Sequence, residues 1–135
     1  MNTPSYVQGA SSTHLFGETI NSHLRNIVEA NLNNDALISA HQGYRATYAE
    51  FYEQVGRVAK GLIALGVQPG ERVGIWSPNC YQWVLLQYAT ARIGVIMVNL
   101  NPAARTHELV YVLNQSGITT VFAALQFKTS NYKQM

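Results

Sequence analysis

A few side chains in this sequence are of types that carry nucleophilic or acid–base chemistry. Cys80 precedes an apolar segment, near a predicted helix start that can activate a thiol, but no histidine is placed beside it in the sequence. Ser77 lacks the Gly-x-Ser-x-Gly pattern of a nucleophile elbow. Glu50 and Glu53 fall on the polar face of a predicted helix, which is typical of a solvated surface. We therefore assign no catalytic residue from the sequence.

The sequence also predicts neither a metal site nor a phosphate-binding loop. The histidines, His14, His23, His41 and His107, belong to different predicted elements and have no ligand spacing. The glycines form no Gly-x-Gly-x-x-Gly pattern, and no Gly-Lys-Ser/Thr follows them. Their positions match helix ends and turns instead.

The composition is that of one domain with an unusually small share of charge. Of the 135 residues, 47% are hydrophobic and 12% are charged, roughly half the usual charged share, so much of the surface is expected to be covered. The net charge is +2 without a basic stripe, which argues against a nucleic-acid partner. A single cysteine, no secretion signal and no apolar run of ~20 residues favour a soluble, cytoplasmic protein without a transmembrane segment.

The stretch from Glu71 to Leu109 is predicted to form the core. Apolar residues 73–76 and 95–98 read as buried strands, and residues 80–93 between them read as a helix that ends at Gly94. Asn79 is predicted to cap this helix. Two strands that are apolar on both faces, joined by a helix, indicate a parallel βαβ unit. The predicted fold class is therefore α/β.

Before this core, the sequence predicts an extended arm over residues 1–17 and then two helices separated by a hairpin. Thr19 is predicted to cap a helix that reaches residue 32, and residues 36–40 and 44–47 flank a turn with glycine. Thr47 and Glu50 fit a capping box for an amphipathic helix that ends at Gly66. Pro69 and Gly70 occupy the positions that a type II turn favours.

After the core, residues 107–115 are predicted to form a helix, and residues 118–123 a third apolar strand. Thr129 or Ser130 is predicted to cap one more helix. The alternation of helices and strands ends in the middle of its pattern. We therefore expect an incomplete fold.

The helix over Cys80 to Ile93 is apolar on nearly all sides, which is typical of a helix buried on more than one side. A tightly packed small domain is one explanation. The preferred interpretation is that the remainder of a larger protein covers this helix.

A series of short motifs runs through the chain in a fixed order. They are Thr47-Tyr-Ala-Glu-Phe51, Gly61-Leu-Ile-Ala-Leu-Gly-Val67, Pro69-Gly-Glu-Arg-Val73, Pro78-Asn79, Arg92-Ile-Gly-Val95 and Asn99-Leu-Asn-Pro102. In this order they resemble the N-terminal part of the adenylate-forming (AMP-binding) enzymes, the acyl-CoA synthetases and their relatives. The stretch from Asn99 to Leu109, together with Pro4-Ser-Tyr-Val7, looks most like the fatty-acyl-CoA synthetase branch.

The resemblance implies a two-step ligase that uses ATP, Mg²⁺ and coenzyme A on a fatty acid. A carboxylate would react with ATP to give an acyl-adenylate, and the coenzyme A thiol would then take the acyl group. The family's phosphate loop, its Mg²⁺-associated glutamate, its ribose-binding aspartate and its catalytic lysine would all lie after Met135. Residues 18–135 would therefore be a partial N-terminal adenylation domain, truncated before the phosphate loop, inactive and without a cofactor by itself.

Arg105 is the one residue here that the resemblance connects with a ligand. In some relatives a basic residue just after the Asn-Pro pair lies near the phosphates of coenzyme A, and a guanidinium suits phosphate. Ala103 and Ala104 intervene here, so a solvated connector arginine is the alternative.

Two other readings of the whole chain stay open. One is a stand-alone binding or interaction module without catalysis. The other is a different adenylate-forming ligase, such as an aryl-CoA ligase or a peptide-synthetase adenylation domain.

Overall fold

The computed structural model describes Gly9, Ser12 and residues 15–135. The predicted arm over residues 1–17 lies mostly outside these described residues. The division into an arm and a partial domain from residue 18 therefore stays a prediction. Leu15 and Phe16 are exposed.

The first half of the chain follows the predicted helix–hairpin–helix order. Helix α1 spans Ile20–Asn31, and the Thr19 hydroxyl accepts a hydrogen bond from the Ser22 amide. Strands β1 (Asp35–Ser39) and β2 (Tyr44–Thr47) pair antiparallel across a short 3-10 turn. Helix α2 spans Tyr48–Ala64. These elements confirm the sequence prediction.

Local signals fix the ends of helix α2. The Thr47 hydroxyl accepts from the Glu50 amide at 3.3 Å, while the Glu50 carboxylate accepts from the Thr47 amide at 2.8 Å. This reciprocal pair is the predicted capping box. After the helix, Gly70 has a φ of 84°, and the Glu71 amide donates to the Gln68 carbonyl at 3.1 Å. That is the geometry of the predicted type II turn, which needs a positive φ at its third position.

The centre of the fold is a parallel three-stranded sheet. Strands β3 (Arg72–Trp76), β4 (Ile96–Leu100) and β5 (Thr120–Ala123) lie in the order β4-β3-β5. Helix α3 (Tyr81–Arg92) connects β3 to β4, and helix α4 (Thr106–Ser116) connects β4 to β5. The predicted parallel α/β fold is confirmed, although β4 continues two residues past its predicted end at Val98.

Strand β3 is buried on both faces of the sheet. Val73 and Ile75 point to one face, where they pack with buried side chains of α1, α2 and α3. Trp76 lies in a second cluster on the other side, with Leu100 and Tyr132. Gly74 faces Ile118 and Leu100, whose side-chain carbons would lie 3.1–3.3 Å from an added Cβ. A larger residue at this position would therefore have to displace these two side chains.

Helix α3 is partly covered within this chain. Helices α1 and α2 and the sheet pack against its apolar side chains, and the exposed residues of Cys80–Ile93 are Gln82 and Gln87. Trp83, Val84, Tyr88 and Ile93 are only partly buried, so the covering of this helix by further protein stays a prediction. The exposed large apolar side chains lie elsewhere, chiefly in this set: Ile38, Ile63, Leu65, Ile96, Val110, Tyr111, Val121 and Leu125.

The C-terminal residues correct a prediction. Neither Thr129 nor Ser130 caps a helix. Strands β6 (Gln126–Phe127) and β7 (Ser130–Asn131) form a small antiparallel hairpin, and a 3-10 turn over Tyr132–Gln134 follows. Pairing of Ser130 with Phe127 moves the helical start to Asn131, whose side chain accepts from the Lys133 amide at 3.1 Å.

Candidate functional site

The carboxyl ends of the three parallel strands meet at one edge of the sheet. In open α/β sheets this is the edge where ligands bind. Residues 77–80, which we name the edge loop, follow β3. Asn101 and Pro102 follow β4, and Ala124 and Leu125 follow β5. These segments are the candidate site.

Two open grooves lie on either side of the edge loop. The β4-side groove has a volume of about 740 Å³ and the β5-side groove about 510 Å³. Ser77, Pro78 and Asn79 contribute to both grooves. The other walls of the β4-side groove are Trp83, Asn99–Pro102 and Phe127. The other walls of the β5-side groove are His41, Gln42, Ile75, Cys80, Gln82 and residues 122–125.

The lining of the β4-side groove is mostly apolar, and its polar groups are uncharged. It combines asparagine side chains and a serine hydroxyl with the rings of Trp83 and Phe127. Such walls can pack against an apolar ligand and hydrogen-bond its neutral polar groups. They offer no group that takes up or releases a proton near neutral pH. This groove is suited to holding a ligand, and its described lining does not provide acid–base catalysis.

The start of α3 differs from the sequence prediction. Asn79 does not cap this helix; the capping position is Cys80, which has extended backbone and makes no side-chain capping hydrogen bond. The Tyr81 amide instead donates to the side-chain oxygen of Gln42, at 2.8 Å. The prediction failed because the acceptor lies 39 residues earlier in the chain, where no local pattern reveals it.

Ser77 and Cys80 are not paired with a base in the described part of the chain. The Ser77 hydroxyl donates to the Pro78 carbonyl at 2.9 Å and lies 3.4 Å from the Cys80 sulfur. His41 also lines the β5-side groove, but its Nδ1 contacts the Ser39 hydroxyl at 3.3 Å. A nucleophile requires a base within hydrogen-bond reach. This geometry is that of a structured turn.

Arg105 occupies the capping position of α4 and is exposed. Its backbone amide donates to the Glu108 carboxylate at 2.8 Å, and its guanidinium donates to the Ser130 hydroxyl at 3.0 Å. The guanidinium has five donors, so most of them face solvent. The structure places this cation at the carboxyl edge of the sheet, on the segment that follows β4.

An aromatic pair supports the segment that leads to Arg105. The Trp76 indole donates to the Asn101 carbonyl at 3.0 Å, and the Tyr132 hydroxyl donates to the Pro102 carbonyl. Burial raises the pKa of the Tyr132 phenol above its ordinary value of 10.0. The phenol is therefore a stable donor over the whole physiological pH range.

The three described histidines lie in different parts of the fold. His23 contacts Glu18 at 2.9 Å, His41 lies in the β1–β2 turn and His107 lies in the first turn of α4, while His14 lies outside the described residues. Within residues 15–135, no three His, Cys, Asp or Glu side chains are grouped closely enough to hold a metal ion. No helix in that part of the chain is long and apolar enough to cross a membrane.

A parallel α/β sheet with ligand-sized grooves at its carboxyl edge is typical of α/β proteins that bind small ligands. Residues 24–134 match the AMP-binding enzyme family. The chain belongs to this family. The predicted resemblance to the adenylate-forming enzymes is thereby confirmed.

The chain is similar to named acyl-CoA ligases over nearly its whole length. It is 41% identical to the medium-chain acyl-CoA ligase ACSF2, mitochondrial, of Rattus norvegicus over 95% of this chain and 21% of that protein. The chain thus spans about a fifth of the length of the curated relatives that it matches.

Solved structures of related enzymes share the fold. The Mycobacterium tuberculosis fatty acyl CoA synthetase superposes with a TM-score of 0.75 at 28% identity, over 78% of this chain and 21% of that chain. The N-terminal domain of FACL13 from the same organism gives the same TM-score and identity, and 27% of it is covered.

Proposed function

We propose that this chain is the N-terminal segment of an ATP-dependent acyl-CoA synthetase that acts on a fatty acid. The observation that carries this proposal is the family match over residues 24–134, combined with relatives that are about five times as long. The relatives are named as medium-chain acyl-CoA ligases, so the substrate class that we propose is a medium-chain fatty acid. The exposed apolar side chains suit a segment that packs against further protein.

The proposed reaction activates a carboxylate, which is a poor electrophile by itself. The carboxylate oxygen attacks the α-phosphorus of ATP, pyrophosphate leaves and an acyl-adenylate forms. The thiol of coenzyme A, having lost its proton, then attacks the acyl carbon and displaces AMP. The products are the acyl-CoA thioester, AMP and pyrophosphate.

Apart from Arg105, the role of residues 15–135 in this reaction is structural. These described residues hold no carboxylate cluster for Mg²⁺, and the sequence has no phosphate loop, so they do not fit the magnesium–nucleotide group. What they provide is a rigid parallel sheet and an edge loop that borders two grooves. We propose that the segment alone does not form an adenylate and needs no cofactor of its own.

We propose that Arg105 contacts a phosphate of coenzyme A. Its guanidinium is exposed at the carboxyl edge, and the segment before it is fixed by the Trp76 and Tyr132 hydrogen bonds. A positioned arginine loses less side-chain entropy when it binds a phosphate.

The test begins with the intact mass of the natural gene product, isolated from its source cells. We expect a mass several times 15.0 kDa. The purified product should then catalyse fatty-acid-dependent exchange of pyrophosphate into ATP, while a protein of residues 1–135 should not. A full-length product without this exchange, or an exchange-active short chain, contradicts the proposal.

A stand-alone interaction module is the second candidate. The exposed apolar side chains of Ile63, Leu65, Val110 and Tyr111 favour it. A natural product of about 15.0 kDa would support this reading and would exclude the ligase. Exchange that depends on an aryl acid or an amino acid would support the other adenylate-forming ligases.

We propose a cytoplasmic location for the whole protein, on the basis of the single cysteine in residues 1–135. The name of the rat relative assigns that protein to mitochondria. Imaging of the tagged natural product decides between the two compartments.

A further inference from the structure

Gln42 makes contacts that connect the β1–β2 hairpin with the start of α3. It lies at the end of the 3-10 turn between the two strands. Its side-chain oxygen accepts from the Tyr81 amide at 2.8 Å and from the Ser39 hydroxyl at 2.9 Å. Its side-chain nitrogen donates to the Gln82 side-chain oxygen at 3.0 Å. The side-chain oxygen and one side-chain N–H of Gln42 are therefore bonded to neighbouring elements of the fold.

The first turn of α3 needs this acceptor. The first amides of a helix have no partner within the helix, and a side chain of the preceding residue usually accepts from one of them. Here Cys80 makes no such bond. A second contact aligns the same two elements, because the rings of Tyr44 and Tyr81 stack with centroids 3.8 Å apart and 1° between their planes.

The edge loop depends on where α3 begins. It runs directly into Tyr81, and its residues Ser77, Pro78 and Asn79 line both grooves. A shift of the helix start would move this shared wall and would change the shape of both grooves at once. A displacement of about 1 Å in such a wall is enough to impair a bound reactant.

We propose that Gln42 is a positioning residue: it caps α3 from a distance and thereby fixes the edge loop against a substrate of the ligase. This inference rests on the proposed function, since it assigns a substrate to the grooves. Gln42 itself lines only the β5-side groove. Gln42 influences the β4-side groove only through the position of the edge loop.

Two substitutions separate capping from other effects of the side chain. Gln42→Ala removes the acceptor. Gln42→Glu keeps an oxygen for the Tyr81 amide, and a carboxylate is favourable at a helix N-terminus, but it no longer donates to Gln82. Gln87→Ala is the matched control, because Gln87 is an exposed glutamine of the same helix.

Hydrogen exchange of the full-length protein tests the cap without any assay of activity. In Gln42→Ala we expect exchange of a peptide over residues 77–84 to rise about fivefold, while Gln42→Glu and the control remain as in the wild type. Equal exchange in Gln42→Ala and the wild type would overturn the proposal. Equally raised exchange in Gln42→Ala and Gln42→Glu would overturn it too, since the contact with Gln82 would then be the important one.

Steady-state kinetics of the same variants tests positioning. Gln42→Ala should raise the KM of the acid, ATP or coenzyme A about threefold or more, and Gln42→Glu should restore it. Unchanged kcat and KM values in Gln42→Ala would overturn positioning, as would a lower kcat fully accounted for by a smaller folded fraction in circular dichroism. If the wild-type protein lacks ligase activity, the proposed function fails, whereas the exchange result still decides whether Gln42 caps α3.

Discussion

The phenol ring of Tyr132 lies parallel to the indole ring of Trp76, with ring centroids 3.7 Å apart and 7° between the planes. Each ring also donates a hydrogen bond to the segment after β4, Trp76 to Asn101 and Tyr132 to Pro102. The last residues of the chain are thus joined to the middle strand of the sheet, and both are joined to the segment that precedes Arg105.

The first prediction concerns this aromatic pair. Tyr132→Ala should lower the free energy of unfolding by about 3 kcal/mol, because it empties a buried site and removes a stacked ring. Tyr132→Phe should cost about 1 kcal/mol through the lost hydrogen bond to Pro102. Equilibrium urea unfolding measures both. Tyr111→Ala is the control, since Tyr111 is 67% exposed; an equal loss in that variant would refute the packing argument.

The second prediction uses two glycines with opposite surroundings. Gly74→Ala places a methyl group 3.1 Å from Ile118 and 3.2 Å from Leu100, and overpacking of this kind costs about 1–3 kcal/mol. Gly61→Ala places the same group in open space within α2, where alanine is favoured over glycine by about 1 kcal/mol. Thermal and urea unfolding should shift in opposite directions. A shift of the same sign in both variants would contradict the assigned surroundings of Gly74.

The third prediction is a pH dependence. Hydrogen bonds from the Thr47 amide and hydroxyl lower the pKa of Glu50 below its ordinary value of 4.5. Such a carboxylate stabilises the fold above pH 4.5, and this contribution is lost as the pH falls through the lowered pKa. Glu50→Gln should therefore flatten the acid limb of the stability curve. Urea unfolding over a series of pH values measures this, and an unchanged acid limb in Glu50→Gln would refute the role of the capping hydrogen bonds.

The fourth prediction tests the proposed phosphate contact of Arg105. In the full-length enzyme, Arg105→Ala should raise the KM for coenzyme A about tenfold, the value of one charge-assisted hydrogen bond, and leave the KM for ATP unchanged. Ser130→Ala is the matched control because it removes the structural partner of the guanidinium and keeps the charge. An unchanged KM for coenzyme A in Arg105→Ala would exclude the contact.

The sequence predicted those features that depend on residues close together in the chain. The Thr47–Glu50 capping box and the turn at Gly70 are local, because each is decided within four residues. The apolar residues of β3 also revealed a strand buried on both faces. These signals were sufficient to place the main helices and the sheet strands.

The features that the sequence missed depend on contacts between distant segments. The cap of α3 comes from Gln42 rather than Asn79. The C-terminal hairpin forms where Ser130 pairs with Phe127, against a strong local signal for a cap. For the candidate site, the sequence supplied Arg105, but the joining of the edge loop to the hairpin required the structure.

The strand order β4-β3-β5 also determines when each edge of β3 can pair during synthesis. The middle strand is the first of the three to be synthesised, yet Arg72 bonds to Thr119, 47 positions later. At ribosomal rates of about 5–20 residues per second, one edge of β3 stays unpaired for roughly 2–9 seconds until β5 has been synthesised. Closing so large a loop is slow compared with forming the local β1–β2 hairpin. The nascent chain therefore exposes an apolar strand with an unpaired edge for seconds, which is the period in which it is most prone to aggregation.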